Sequence, residues 1–201
     1  MKRITIFILA FMIGIGVQAQ QDMDPDKALR KADRELGRYL LDKQNNKEKL
    51  GEALNYIQIA HESDNREIKK DPEFWNVRGQ IYNALASREI KLQMTDPMYK
   101  PKHPDAAQKA FESFQKNLSL AEKNYEREDA LKGMFETASH LSNLGNSYIN
   151  KESYAKAYEP LSTVLKINEI LKANDGKELF KKEGDFLNQK YVTAVCAMQA
   201  G

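Results

Sequence analysis

A glycine within a helical stretch limits the folds open to this chain more than any other residue does. Gly145 stands in the pattern Leu144-Gly145-x-x-Tyr148, and the pattern Ala157-x-x-x-Leu161 follows after a short break. Glycine inside a helix costs about 1 kcal/mol relative to alanine, so its presence requires a reason. We expect Ala157 to lie against Gly145 on a returning helix, with no side chain between them. Two helices that approach this closely form a helix–turn–helix unit.

The same spacing of residues occurs earlier in the chain, as Trp75-x-x-Arg78-Gly79-x-x-Tyr82 followed by Ala110-Phe111-x-x-Phe114. It resembles the tetratricopeptide repeat (TPR), in which W-x2-L-G-x2-Y is followed by A-x3-F in a unit of roughly 34 residues. The resemblance implies an all-α solenoid of about seven helices, in antiparallel pairs with a right-handed superhelical twist. It also implies a set of structural repeat positions: Trp75, Gly79, Tyr82, Ala110, Phe114, Gly145, Tyr148, Ala157 and Leu161.

Apolar residues recur at helical spacing along the whole chain, and no segment alternates over the length of a strand. This spacing predicts hairpins over about 27–62, 72–123 and 129–173, followed by a half repeat over 178–201. The first hairpin is degenerate, because Leu41 stands where the repeat pattern expects glycine. Together the elements predict one TPR-like domain over 27–201.

The first 19 residues have the character of a secretory signal peptide. Lys2 and Arg3 precede an apolar run over 4–17, and small residues at Val17 and Ala19 suit a signal peptidase. The run is shorter than the roughly 20 apolar residues of a membrane-spanning helix, although an uncleaved anchor is the alternative. We therefore expect export to the periplasm or cell envelope, no membrane insertion after cleavage, and a short disordered segment over 20–26.

Charge and motifs argue against several classes of function. Without Lys2 and Arg3, the remaining 29 of the 31 basic residues equal the 29 acidic ones, whereas a nucleic-acid partner favours a basic excess. The three histidines lack ligand spacing, and a zinc site needs three or four converging ligands. Neither a nucleotide-binding glycine loop nor a hydrolase motif is present. We expect no enzyme activity, no cofactor, no metal and no nucleic-acid partner.

In proteins that this chain resembles, the first helices of successive units line a concave groove that holds an extended peptide or a partner helix. Placing Gly79 and Gly145 in register puts six polar residues in that groove: Asn76, Gln80, Asn83, Ser142, Asn146 and Asn150. Amides and hydroxyls can donate to and accept from a peptide backbone. A merely solvated helix face is the alternative. The resemblance implies a non-catalytic scaffold or adaptor, and a small-ligand or glycan-binding domain or an accessory domain of a longer protein stays open.

A proline-rich loop and the last helix offer further surfaces. Three prolines within 97–104 cannot continue a helix, so Met98, Tyr99 and Lys100 stand on a loop. The loop either contacts a partner or is a surface loop with Tyr99 packed against its own helices. The segment 191–198 is apolar nearly all round, whereas a terminal repeat usually has a polar outer face. We expect the array to continue beyond this segment, or the segment to dock on a second copy.

Overall fold

The computed structural model of this protein describes residues 23–96 and 98–200, and every regular element within these ranges is helical. The predicted all-α class is confirmed. The signal peptide predicted over 1–19 lies outside the described residues. The chain divides into two compact units, Met1–Lys70 and Asp71–Gly201, which are described separately below.

The first unit contains helix α1 (Pro25–Leu41), helix α2 (Lys49–Glu62) and a short 3₁₀ helix (Ile68–Lys70). The carboxylate of Asp24 accepts a hydrogen bond from the backbone N–H of Lys27 at 2.9 Å, and Pro25 occupies the first turn of α1. The disordered segment predicted over 20–26 therefore ends too late, because 24–26 cap and begin a helix. The two helices pack through buried small and aliphatic side chains: Ala28, Ala32, Leu36, Leu50, Ala53 and Ile57.

The second unit contains five helices: α3 (Pro72–Thr95), α4 (Ala106–Leu120), α5 (Asn124–Asn150), α6 (Tyr154–Ala173) and α7 (Glu183–Ala200). Helices that follow one another in the chain pack together, and α3 also packs on α5. Helix α5 begins before the predicted residue 129, because the side chain of Glu126 accepts the backbone N–H groups of Glu122 and Lys123. Helix α7 begins later than the predicted residue 178.

Gly145 faces a large side chain rather than another backbone. A Cβ atom at Gly145 would lie 2.5 Å from Cδ2 of Leu161, and the three nearest atoms all belong to that leucine. The expectation that Ala157 lies against Gly145 with nothing between them is therefore wrong. Leu161 stands one helical turn after Ala157 on the same face, and its longer side chain fills the space that the glycine leaves. Gly145 is required by this contact, in which a side chain meets a backbone.

The ring of Phe114 lies between two glycines on two different helices. A Cβ atom at Gly79 in α3 would lie 2.7 Å from ring atoms of Phe114, and one at Gly133 in α5 would overlap the same ring. Phe114 is 1% exposed, so its ring closes the space among α3, α4 and α5. Gly133 escaped the sequence analysis because its neighbours do not repeat the pattern around Gly79 and Gly145.

The surroundings of Trp75 and Arg78 differ from those that the resemblance implies. Trp75, one of the predicted structural repeat positions, has a half-buried ring that lies edge-on to Phe74, which is fully buried. Arg78 stands where the repeat has leucine, and its guanidinium donates a hydrogen bond to Ser113 Oγ. The same guanidinium lies 4.9 Å from the centre of the Tyr82 ring. An arginine thus serves in place of an apolar residue by stacking on a buried tyrosine.

Helix α7 buries one side and exposes the other. Its side chains Val192 and Cys196 join Ala157 and Leu161 of α6 in an apolar cluster that Tyr148 borders. Burial raises the pKa of the Cys196 thiol, so this cysteine stays protonated and unreactive. The predicted all-round apolar face thus divides into a packed side and an exposed side, on which Leu187, Tyr191 and Met198 lie.

Candidate binding clefts along the contact between α3 and α5

Helices α3 and α5 run in the same direction, and their contact, here called the seam, has three levels. Near the start of both helices, Asn76 and Asp129 line one cleft. In the middle, Asn83 is hydrogen-bonded to α5, and near the end Ile90 and Asn143 line a second cleft. Asn76 and Ile90 are separated by about 21 Å of helix at 1.5 Å per residue. The seam is therefore closed at its centre and open at both ends.

Asn83 closes the centre of the seam. Its side-chain nitrogen donates to the backbone oxygen of Gly133 at 3.2 Å, and its side-chain oxygen lies 2.8 Å from the hydroxyl of Thr137. Asn83 is 6% exposed. The prediction that Asn83 lines a binding groove is therefore wrong, because its amide is engaged inside the seam.

The C-terminal cleft is an opening of about 410 Å³ between the last turns of α3 and α5. Five of its eight wall residues carry amide or hydroxyl side chains; the walls are formed by Ile90, Gln93, Met94, Asn143, Asn146, Ser147, Asn150 and Lys151. Of the predicted groove residues, Asn146 and Asn150 lie here, and both are exposed. Within the described residues the side chains of this cleft form no hydrogen bond with one another, so their donors and acceptors are available to a ligand.

Three of the amide and hydroxyl residues of this cleft escaped the sequence analysis, namely Gln93, Asn143 and Ser147. A signal for two of them was present, because Asn143, Asn146, Ser147 and Asn150 recur at three- and four-residue spacing and so share one helix face. Gln93 belongs to the other helix, and only the packing of α3 on α5 brings it close.

The N-terminal cleft is an opening of about 360 Å³ at the first turns of the same two helices. Its walls are formed by Asp71, Pro72, Glu73, Asn76, Asn117, Lys123, Tyr125, Glu126 and Asp129. Asn76 is the predicted groove residue that lies here. Gln80 is exposed and Ser142 is half-buried, and neither lines either cleft. The six predicted groove residues therefore do not form one continuous site.

The proline-rich loop packs back onto α3 through Tyr99. The Tyr99 hydroxyl donates to a carboxylate oxygen of Glu89 at 2.7 Å, and the backbone N–H of Lys102 donates to the same oxygen at 3.1 Å. The hydrogen bond to Glu89 raises the pKa of Tyr99, which keeps the hydroxyl protonated as the donor. For Tyr99 the structure therefore agrees with the second of the two predicted alternatives, a loop packed on its own helices. Met98, which is 84% exposed, and Lys100 face solvent.

A small cavity of about 20 Å³ lies behind this loop and is bordered by Glu89, His103 and His140. It has room for about one water molecule, so it is not a ligand site. Burial lowers the pKa of His140, which favours the neutral imidazole. Over residues 23–96 and 98–200, no three or more histidine, cysteine or acidic side chains are grouped to bind a metal ion. None of the helices described here combines the length and apolarity needed to cross a bilayer.

No protein-family model, curated protein or solved structure matches this chain. The chemistry of the two clefts is then the basis on which a function is inferred.

Proposed function

We propose that this protein is a non-catalytic scaffold or adaptor that binds an extended peptide or a partner helix in the C-terminal cleft. The observation that supports this is the convergence of unengaged amide and hydroxyl groups on an opening of about 410 Å³. A peptide backbone presents donors and acceptors in turn, and asparagine and glutamine side chains can satisfy both. Ile90 and Met94 add apolar contact on the same wall, and Met94 is largely exposed. Such a combination of an apolar anchor and orienting polar groups is common in binding sites.

The proposal includes a TPR-like array formed by α3 to α7 of the second unit, with a right-handed superhelical twist. Three features support it: the sequence pattern that recurs around Gly79 and Gly145, the packing of helices that follow one another in the chain, and the parallel contact of α3 with α5. The insertion of large side chains at Gly79 and Gly145 also fits the close helix pairs of such arrays. The character of residues 1–19 supports export to the periplasm or cell envelope.

A glycan-binding role is less well supported by the same cleft. Sugar rings are commonly bound against aromatic side chains, and no aromatic residue lines the C-terminal cleft. The lack of an aromatic residue in the walls therefore favours a peptide over a sugar.

Site-specific photocrosslinking in cells that produce the protein tests this function. A photoreactive amino acid at Lys151, on the rim of the C-terminal cleft, should form a discrete adduct with another protein. The matched control places the same amino acid at Glu169, an exposed position on α6. Alanine substitution of both Asn146 and Asn150 should abolish the adduct from Lys151, because it removes two of the amides that hold the ligand.

Two results would contradict the proposal. The first is an adduct pattern from Lys151 that matches the pattern from Glu169 or is unchanged by the two alanine substitutions. The second is that the purified protein binds soluble oligosaccharides and loses this binding in the Asn146→Ala/Asn150→Ala variant, which would support the glycan alternative.

A further inference from the structure

Asn117 in α4 is a buried amide at the floor of the N-terminal cleft. It is 1% exposed, and neither its side-chain oxygen nor its side-chain nitrogen has a hydrogen-bond partner among the described residues. The side-chain oxygen of Asn76, on the wall of the same cleft, is also buried and unpartnered. Buried amides in folded proteins are nearly always hydrogen-bonded. Two such groups at one opening point to a ligand that supplies the missing partners.

The walls of the N-terminal cleft are strongly acidic. Asp71, Glu73, Glu126 and Asp129 contribute four carboxylates and Lys123 contributes one ammonium group, so the formal charge is −3. The first turns of α3 and α5 each add about half a positive charge from the helix dipole, roughly +1 in total. This is too small to reverse the sign of the field. The cleft therefore attracts cations and repels anions.

Two of the four carboxylates are engaged within the protein and two are not. Asp71 accepts the backbone N–H of Glu73, and Glu126 accepts two backbone N–H groups and pairs with Lys123 at 3.4 Å. The side chains of Glu73 and Asp129 take part in no hydrogen bond or ion pair among residues 23–96 and 98–200. These two carboxylates can therefore interact with an incoming charge.

We propose that the N-terminal cleft binds a cationic N–H donor, that is, a guanidinium group. The oxygens of Asn117 and Asn76 accept its N–H groups, and Glu73 and Asp129 balance its charge. The volume of about 360 Å³ has room for a group of the size of an arginine side chain. Because the cleft lies at the opposite end of the seam, this site is independent of the peptide-binding role proposed for the C-terminal cleft.

Lys123 already places one ammonium group at the edge of this cleft. Its Nζ lies 3.2 Å from the Tyr125 hydroxyl and 5.4 Å from the centre of the Tyr125 ring. A bound cation would experience repulsion from Lys123. The charge of Lys123 thus distinguishes the sign of the ligand, since its removal strengthens the binding of a cation and weakens the binding of an anion.

Isothermal titration of the purified protein tests the proposal with three probes: argininamide, the peptide acetyl-Ala-Arg-Ala-amide, and inorganic phosphate. We expect one or both of the arginine probes to bind and phosphate not to bind. Binding of argininamide indicates a free cationic metabolite as the ligand, whereas binding of the peptide alone indicates a basic protein segment. Absence of binding by both arginine probes, or binding of phosphate in their place, would overturn the proposal.

Charge variants locate the binding. The isosteric double variant Glu73→Gln/Asp129→Asn should weaken the binding of an arginine probe roughly tenfold, because two nearby charges are removed. The matched control Glu169→Gln/Glu178→Gln removes two exposed charges elsewhere and should leave the affinity unchanged. Lys123→Met should strengthen the binding. An equal loss in the control variant, or weaker binding by Lys123→Met, would show that the cleft is not the site.

Nuclear magnetic resonance of the unsubstituted protein tests the same site without a variant that could misfold. The side-chain amide resonances of Asn117 and Asn76 should shift on addition of the arginine probe, because the N–H groups of the probe donate to the oxygens of these two amides. Unchanged resonances at saturation would refute the assigned site even if the protein binds the probe elsewhere.

Discussion

The helical glycines of the two units have different surroundings. In the first unit, a Cβ atom added to Gly37 or Gly51 would have no neighbouring atom within 4 Å. In the second unit, Gly79, Gly133 and Gly145 each face a large side chain. The local cost of glycine in a helix is the same in both units, about 1 kcal/mol. Only in the second unit does packing offset that cost, since a ring or a leucine occupies the position of the missing Cβ. The role of a helical glycine is therefore set by its neighbour.

The two units also differ in what joins their helices. In the first unit the buried carboxylate of Glu35 accepts hydrogen bonds from Arg34 and Arg38 and lies 3.9 Å from Lys49 of α2. Burial raises the pKa of Glu35, but the hydrogen bonds and charges of the two arginines outweigh it, and the net pKa is lowered. In the second unit the contact of Phe114 with two glycines joins three helices without an ionisable group. The first unit should therefore be the more sensitive to acid.

The largest effect is expected from Phe114→Ala. Removal of a fully buried ring leaves a cavity among α3, α4 and α5 and should cost about 3–5 kcal/mol of unfolding free energy. Trp75 is the only tryptophan, so its fluorescence during urea unfolding reports on the second unit. Phe135→Ala, which truncates a half-buried ring on α5, is the matched control and should cost less. Equal losses from the two variants would mean that the slot between the glycines has no special role.

Gly133→Ala should destabilise the second unit by about 1–3 kcal/mol, because the new methyl group overlaps the Phe114 ring. The same substitution in the Phe114→Ala background should be neutral or stabilising, since the ring is gone and alanine favours the helix. The double-mutant cycle, measured by urea unfolding, checks this coupling. Additive losses in the cycle would contradict the proposed slot.

Glu35→Gln should destabilise the first unit by about 1 kcal/mol at neutral pH, a modest value because Arg34 and Arg38 are half exposed to solvent. A lowered folded-state pKa gives stability that is present above the unfolded pKa, near 4.5, and lost as the pH falls towards the folded pKa. Hydrogen exchange of the α1 and α2 amides should therefore show a difference between wild type and Glu35→Gln at pH 7 that shrinks as the pH drops below 4.5. A difference that persists unchanged in acid would argue against the ion pairs.

The smallest effects are expected from Gly37→Ala and Gly51→Ala. Because a Cβ atom at either position meets open space, each change should stabilise the first unit by about 0.5–1 kcal/mol. Alanine has a higher helix propensity than glycine, and it lowers the conformational entropy of the unfolded chain. Slower hydrogen exchange of α1 and α2 is the expected readout. Faster exchange in either variant would show that the first unit also relies on close contact at its glycines.

Several features could be predicted from short stretches of sequence. The helical class followed from apolar spacing. The cap formed by Asp24 ahead of Pro25 was a local signal for the start of α1, although disorder was predicted over 20–26. The need for glycine at 79 and 145 was also evident, since glycine in a helix has a local cost. The residue that meets Gly145 was not evident, because Ala157 and Leu161 share a helix face and only the distance between helices selects one of them.

The candidate sites depended more strongly on the packing of helices. Asn76, Asn83 and Asn146 were all predicted to line the groove, yet one lies in the N-terminal cleft, one is buried in the seam and one lines the C-terminal cleft. Asn117 could not be anticipated, because it belongs to the second helix of its pair and reaches the cleft only through the way α4 supports α3 and α5.

Local sequence thus decided which residues of this protein are helical, where the helix ends are capped and which glycines carry a helix-propensity cost that packing must offset. These properties depend on residues within one or two turns. The tertiary structure decided which side chain meets each glycine, which asparagine is engaged and which acidic groups surround an unpaired amide. These properties depend on distances between helices that are far apart in the chain, and such distances are set by the packing of the whole unit.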